Sequence, residues 1–563
     1  MRLRATRPMV VILAIAAGLL GVAGGLAGPA RAVTAAKCAD ADWTTYGRDA
    51  AHDFEVPAGC SGITTSNVAT LIPKWFFHTG SAVTASPTVV DGVLYVGSWN
   101  GDFYALDAAT GAQKWEHTID VSSPTAFGEI VSSATVVPFR DASTGQSRLV
   151  VLFGGGPVLY ALDAATGRQL AAISVDPRSA ALVAKEASNP PVVEIESSPT
   201  VATVKVAGRP TSMIYIGMDV HNDSGVGPAG VIATELVSNR NGTWQFAPQW
   251  KIDPETDRTY LGAAGLETGS GTGYGCGDVW STPSVDAADD LLVFGVGNCD
   301  DPPTAKAAGD NWSESITAVR ADTGRFAWRY APESDLPAAQ QTTAAYGDGD
   351  FGATVNVMTL PSGARVAGDG SKDGYYYARR AATGGPLWKT LAGQQGYVQQ
   401  DFAVGGFIGS SAVLTNSAGR ATQIIGASAI PIPQSTADVQ RSLWAVRALN
   451  PSTGAIDWTY SLGGPSYAAT SVVNGIALVP ETVPSDLVAL NATTGAPLWV
   501  NPVIGPPSSS AVVVGNSVYL GTGTTESDLE YKSLGLVVAQ KTSAYVGQGP
   551  LDPVSGVQAW TLP

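Results

Sequence analysis

ALDAATGAQKW at 105–115 returns with the same skeleton as AVRADTGRFAW at 318–328, ARRAATGGPLW at 378–388, ALNPSTGAIDW at 448–458 and ALNATTGAPLW at 489–499. A phrase repeated along a chain decides the architecture before any single residue does, because each copy is one supersecondary unit that cannot bury its apolar face alone. ALDAATGRQLA at 161–171 is a copy without its Trp, and SGVQAW at 555–560 keeps a Gly with a Trp four residues on. Each copy reads as a β run, a turn closed by Thr-Gly, and a return run ending in Trp. Gly111, Gly324, Gly384, Gly454 and Gly495 supply the positive φ that closes the turn, and the Trp of the outer strand can wedge between neighbouring sheets.

Upstream of several copies lies a second hairpin signal, as in SPTVVDGVLYVGSWNG at 86–101, where Asp91-Gly92 parts two apolar runs. Two hairpins make one four-stranded antiparallel blade. Blades hide both faces by standing around an axis, so the chain is predicted to be an all-β propeller. The turns at 110, 166, 323, 383, 453 and 494, with Gly556 as a seventh, leave one gap. A degenerate unit that turns at Asn241-Gly242 fills it, giving eight blades. LIPKW at 71–75 reads as an outer strand that closes the ring on the last blade, and if it replaces a C-terminal strand the alternative is seven.

Residues 1–32 carry Arg2, Arg4 and Arg7, an apolar run from Met9 to Leu20 and the small-residue site Ala30-Arg31-Ala32, the pattern of a secretory signal peptide. The run is short against the ~20 residues of a membrane span. The expected division is therefore signal peptide 1–32, N-terminal segment and closing strand 33–75, and one propeller domain 76–563. Four of the 32 basic residues fall in the signal peptide, leaving 28 against 48 acidic, net −20. That charge argues against nucleic acid and fits a basic redox partner. Cys38, Cys60, Cys276 and Cys299 are an even set for an oxidising compartment. Of three possible connectivities, Cys38–Cys60 and Cys276–Cys299 close short loops, and the hairpin predicted over 280–298 brings the flanks of the second pair together. There is no CxxCH haem motif, the four His (His52, His78, His117, His221) do not make a multi-histidine zinc site, and neither a GxSxG elbow nor a P-loop is present.

The chain resembles the quinoprotein alcohol dehydrogenases, propellers that bind pyrroloquinoline quinone (PQQ) with calcium, and among them the polyvinyl-alcohol dehydrogenase branch. The resemblance runs from DWTTYGRDAAHDF at 42–54 to the last blade. It implies that Trp280, at the head of VWSTP, stacks under the quinone, for which a broad rigid π-face is suited. Asn298, at the end of GVGN, would ligate calcium through its carbonyl. GDNWSESITAVRADTG at 309–324 is similar to the segment bearing the catalytic base, which assigns that role to Asp310, also beside the metal. Lys372, in SKDG, takes the place of the cation on the quinone oxygens, and Asp350, in GDGDFGATVNV, lines the cofactor side and orients the site.

The sequence departs from the family at two places. The adjacent-cysteine disulfide that covers the quinone in many members is missing. The acidic calcium ligand expected after YIG is replaced by DVHNDSG, with Asp219, Asn222 and Asp223, of which Asn222 and Asp223 stand nearest in register. The implied activity is oxidation of an alcohol, small or polymeric, to a carbonyl outside the cytoplasm, with electrons passed to a separate acceptor such as a cytochrome c. Insertions at 176–196, 255–279 and 331–347 would rim the entrance. The rival reading is a non-catalytic extracellular propeller scaffold, since the repeat serves both.

Overall fold

Asp107 shows what the repeated phrase does. Its Oδ1 accepts the backbone N–H groups of Ala109 and Thr110 and the Thr110 hydroxyl, while Gly111, at φ 74°, returns its N–H to the Asp107 carbonyl. Asp163, Asn450 and Asn491 repeat the arrangement ahead of Gly167, Gly454 and Gly495. The turn is thus written by a side chain four residues before the glycine as much as by the glycine.

The computed structural model describes residues 38, 41–123, 125, 128–176, 192–221, 229–254, 258–262, 277–297, 313–335, 349–393, 397–399, 402–404, 406–428, 444–482, 485–523 and 554–563. They form eight antiparallel sheets of four strands or more, at 88–118, 135–174, 200–253, 284–330, 356–391, 412–461, 471–502 and, for the eighth, 512–561 together with 72–78. These are blades 1 to 8 of a propeller. The Asp91-Gly92 turn joins Thr88–Val90 to Val93–Gly97 with φ of 50° and 74°, and Gly242 closes the outer hairpin of blade 3 at φ 83°. The eighth blade takes its outer strand from the start of the chain: Ile72–His78 pairs with Gly556–Thr561, Ile72 opposite Thr561. Gly556 is therefore no turn glycine. It opens the third strand of blade 8, and its Trp560 is fully buried rather than lying in an outer strand.

The outer-strand Trp of one blade lies against the turn glycine of the next. A Cβ on Gly111, Gly167, Gly324, Gly384, Gly454 or Gly495 would fall 2.5–2.7 Å from a ring carbon of Trp75, Trp115, Trp250, Trp328, Trp388 or Trp458 respectively. Five of these indoles also donate across the seam, to the carbonyls of Ala108, Ala164, Ala381, Pro451 and Ala492. Each ring buries roughly 200 Å², a gross transfer term of about 5 kcal/mol before entropy. Where blade 2 carries Ala171 instead of Trp, blade 3 fills the seam from the other side with Trp244 and Phe246.

Two rings of contacts close the centre. Just before the inner strands of seven blades a Ser or Thr links neighbours: the N–H groups of Ser86, Ser133, Ser198, Thr282 and Thr354 donate to the hydroxyls of Ser133, Ser198, Thr282, Thr354 and Ser410, and that of Ser510 donates to Ser86. Below this belt the N-terminal segment runs around the axis. The carbonyls of Trp43, Thr44, Ala50, Ala51, Asp53 and Phe54 accept N–H groups from Val89, Val136, Val285, Val357, Val413 and Val472, in six different blades. Trp43, His52 and Phe54 are completely buried in this plug. It lies across one end of the axis.

Cys38 and Cys60 form a disulfide with Cα atoms 5.3 Å apart. Cys276 and Cys299 lie outside the described residues, as do residues 1–32 and most of the three insertions. No helix among the described residues is long and apolar enough to cross a membrane.

Candidate active site

On the side of the hydroxyl belt away from the plug, the chain carries Trp280 two residues before Thr282 of blade 4, and Asp350 four residues before Thr354 of blade 5. The predicted hairpin over 280–298 forms, with Ser284–Asp286 paired to Leu291–Val296. Its ends meet, Gly297 donating to the Asp278 carbonyl at 2.8 Å. Glycine is required around the indole. A Cβ on Gly352 would fall 1.7 Å from Cη2 of Trp280, and one on Gly297 would fall 3.0 Å from its Nε1. The half-buried ring rests on bare backbone, which fixes its plane.

Lys372 sits in a tight turn between Arg365–Gly370 and Tyr375–Arg380, where Gly374 donates to the Ser371 carbonyl. Gly406, at φ 59°, presses on that turn: a Cβ there would meet the Ser371 and Lys372 carbonyls at 2.4–2.5 Å. The Lys372 ammonium lies 2.7 Å from Oδ2 of Asp350 and 5.5 Å from the centre of the Trp280 ring. Both charged side chains are largely enclosed, 12 % and 3 % exposed. The Lys372 N–H also donates to the Asp350 carbonyl, so backbone and side chain bind the two residues together. Three of the residues singled out in the sequence thus converge at one mouth. Asn298, Asp310, Asn222 and Asp223 lie outside the described residues.

Further carboxylates are buried on neighbouring segments, Asp219 already named from the sequence and Glu194, Glu314 and Asp369 not. Glu314, at φ 54°, donates its N–H to the Gly297 carbonyl and accepts the Gly349 N–H at Oε1. Glu194 pairs in register with Asp219, both 4 % exposed or less, and the Val279 N–H reaches the Met218 carbonyl next to Asp219. Behind the lysine turn Asp369 is fully buried, and desolvation holds its carboxyl well above the usual range. Among the described residues no three His, Cys, Asp or Glu side chains are grouped to hold a metal. Carboxylates are of the donor class a hard cation takes, and Asn298 and Asp310, the ligands expected from the sequence, lie outside the described residues. The aromatic floor cradled by glycine, with a fixed ammonium at its edge, fits a planar anionic quinone.

Residues 43–392 match the family described as the glucose/ethanol/alcohol dehydrogenase β-propeller domain, and residues 443–562 match the one described as outer membrane protein assembly factor BamB. The chain is 27 % identical over 364 residues to the dehydrogenase subunit of a quinone alcohol dehydrogenase from Komagataeibacter europaeus, and 29 % identical over 385 residues to quinohemoprotein alcohol dehydrogenase ADH-IIG from Pseudomonas putida. These alignments cover 61 % and 65 % of this chain but 44 % and 47 % of the relatives, so the chain spans less than half of their length. The fold is similar to the solved quinohemoprotein alcohol dehydrogenase ADHIIG of Pseudomonas putida, with TM-score 0.64 and 17 % identity over 95 % of this chain and 82 % of that one. It is also similar to a europium-containing methanol dehydrogenase, with TM-score 0.61 and 17 % identity over 94 % and 100 %.

Proposed function

The chain belongs to the glucose/ethanol/alcohol dehydrogenase β-propeller family, and from that premise we propose that it is an extracytoplasmic PQQ- and calcium-dependent dehydrogenase that oxidises an alcohol to a carbonyl and passes the electrons to a separate acceptor. The observation that carries the reading is the meeting of Trp280, Lys372 and Asp350 at the end of the axis away from the plug. A scaffold has no need of that convergence.

Bound PQQ would supply a two-electron, hydride-accepting carbonyl. Trp280 provides its floor, and the glycines at 297 and 352 keep the ring at one height. Lys372 offers an N–H donor and a positive charge to an oxygen that gains electrons, an electrostatic contribution that is large in an enclosed site. Asp350 holds that ammonium through its Oδ2 and so orients it, and we assign to Asp310 the acceptance of the substrate hydroxyl proton as the C–H bond breaks. Asp310 is also a proposed metal ligand, with Asn298, Asn222 and Asp223.

The test is reconstitution of the chain with PQQ and calcium, following thermal stability and alcohol-dependent dye reduction together. Stabilisation with turnover supports the proposal. No response to the quinone at saturating calcium would replace it with the scaffold reading, which the match of residues 443–562 also permits.

A further inference from the structure

The turn that presents Lys372 has a counterpart half a ring away. In blade 5 Ser371 N–H bonds the Tyr375 carbonyl, Gly374 bonds Ser371, Lys372 bonds Asp350 and Ala392 bonds Gly374. In blade 1 Ser98 bonds Asp102, Gly101 bonds Ser98, Trp99 bonds Ala82 and Ile119 bonds Gly101. The four bonds correspond one for one, so Trp99 occupies in blade 1 the position of Lys372 in blade 5. Ala82 stands where Asp350 stands, and the ion pair of one turn is an aromatic ring in the other. Four blades separate them in a ring of eight, which puts the two turns on opposite sides of the mouth.

The Trp99 ring is held at that level. Its Nε1 donates to Oγ1 of Thr84 at 2.9 Å, and Thr84 lies two residues before the belt residue Ser86, as Trp280 lies two before Thr282. Gly128 backs the indole as Gly352 backs Trp280: a Cβ there would fall 2.3 Å from Cγ of Trp99. With its only polar edge bonded inside the protein and the residue still half-exposed, what Trp99 shows the mouth is apolar ring. Its carbonyl accepts the N–H of Glu129, so the backbone on both sides of the ring is tied down.

We infer that Trp99 is a specificity-determining wall of the mouth, receiving the neutral aliphatic chain of the alcohol whose hydroxyl is delivered to the proposed quinone site across the axis. The inference rests on the dehydrogenase reading for the identity of the ligand, and on the geometry of blade 1 alone for the existence of the surface. A flat ring gains contact with each added methylene and nothing from the hydroxyl, so its removal penalises long alcohols selectively.

The experiment compares the chain with Trp99→Ala and Trp99→Phe across ethanol, 1-butanol and 1-hexanol. One arm measures kcat/KM with PQQ, calcium and a dye. The other measures saturation-transfer NMR from protein to hexanol methyl protons without the quinone. Trp99→Ala is expected to lower kcat/KM for hexanol about tenfold and for ethanol less than twofold, the size of one to two methylene contacts. It should also abolish saturation transfer, with the melting temperature showing that the variant is folded. Trp99→Phe, which keeps a ring but not the bond to Thr84, should retain most of the chain-length dependence. An equal loss for all three alcohols, or unchanged saturation transfer in Trp99→Ala, overturns the inference. Saturation transfer that depends on Trp99 in a chain that turns over no alcohol supports the aliphatic surface and removes the dehydrogenase reading.

Discussion

The ammonium of Lys372 and the carboxylate of Asp350 are 2.7 Å apart across two segments of blade 5, in a site that leaves them 12 % and 3 % exposed. Removing either partner therefore has separable effects. Asp350→Asn takes the carboxylate from the Lys372 ammonium and is expected to weaken PQQ-induced stabilisation, with turnover at saturating quinone largely retained. Asp310→Asn keeps the volume and a hydrogen-bond acceptor but loses the proposed proton acceptor, and turnover is expected to fall by about 10²–10⁴-fold with PQQ-induced stabilisation retained. Steady-state kinetics over a PQQ titration separate the two aspartates.

Lys372→Met leaves a carboxylate enclosed without its ammonium and is expected to cost about 3 kcal/mol of folding stability in urea denaturation. Lys372→Arg should recover most of that stability. A Lys372→Met variant as stable as the parent would mean that Asp350 has enough other donors and that the pair is not the structural element inferred.

Gly352→Ala puts a methyl group inside the Trp280 ring as it now lies, 1.7 Å from Cη2. The half-buried indole must tilt. PQQ affinity, followed by quenching of tryptophan fluorescence, is expected to drop at least tenfold, while the melting temperature moves little. Gly384→Ala meets the buried Trp328 at 2.5 Å with φ at 67° and has no such escape. It should cost about 2–3 kcal/mol without touching the quinone site.

Glu481 gives the pH dependence a sign. Burial raises its carboxyl from 4.5 to about 7, against bonds from the Gly464 and Gly463 N–H groups that lower it. The folded state then holds the proton more tightly than the unfolded chain. The contribution to stability is fully present below pH 4.5 and is lost as pH rises to about 7. Glu481→Gln is expected to flatten the stability profile over that interval, which urea melts at pH 4.5, 6 and 7.5 would read directly.

The propeller was legible in the sequence because its information is local. A Thr-Gly turn, a capping Asp or Asn and a Trp fit inside eleven residues, and LIPKW carried enough of the outer-strand pattern to be placed on the last blade. Gly556 was misread because the spacing to its Trp is right while the capping side chain and the Thr are missing, and only pairing with residues 72–78 shows which strand it opens. Trp280, Lys372 and Asp350 could be selected one at a time from their motifs. Glu194, Glu314 and Trp99 could not, because their surroundings come from partners far along the chain or from a neighbouring loop: Asp219, Gly349 and Gly128. The serine and threonine belt recurs visibly as ASPT, SSAT, SSPT and STPS, yet the hydroxyls acquire meaning only when the inner strands are brought side by side.

The segment 43–56 measures the circumference of the molecule. Its carbonyls meet blades 1, 2, 4, 5, 6 and 7 in the order in which the blades follow one another around the ring. A ring with one blade more or fewer would throw every later contact out of step. The first residues of the propeller thus act as a ruler that accepts a single blade number, and duplication or loss of a repeat, the easiest change for a repetitive gene to undergo, meets its resistance there rather than at the seams.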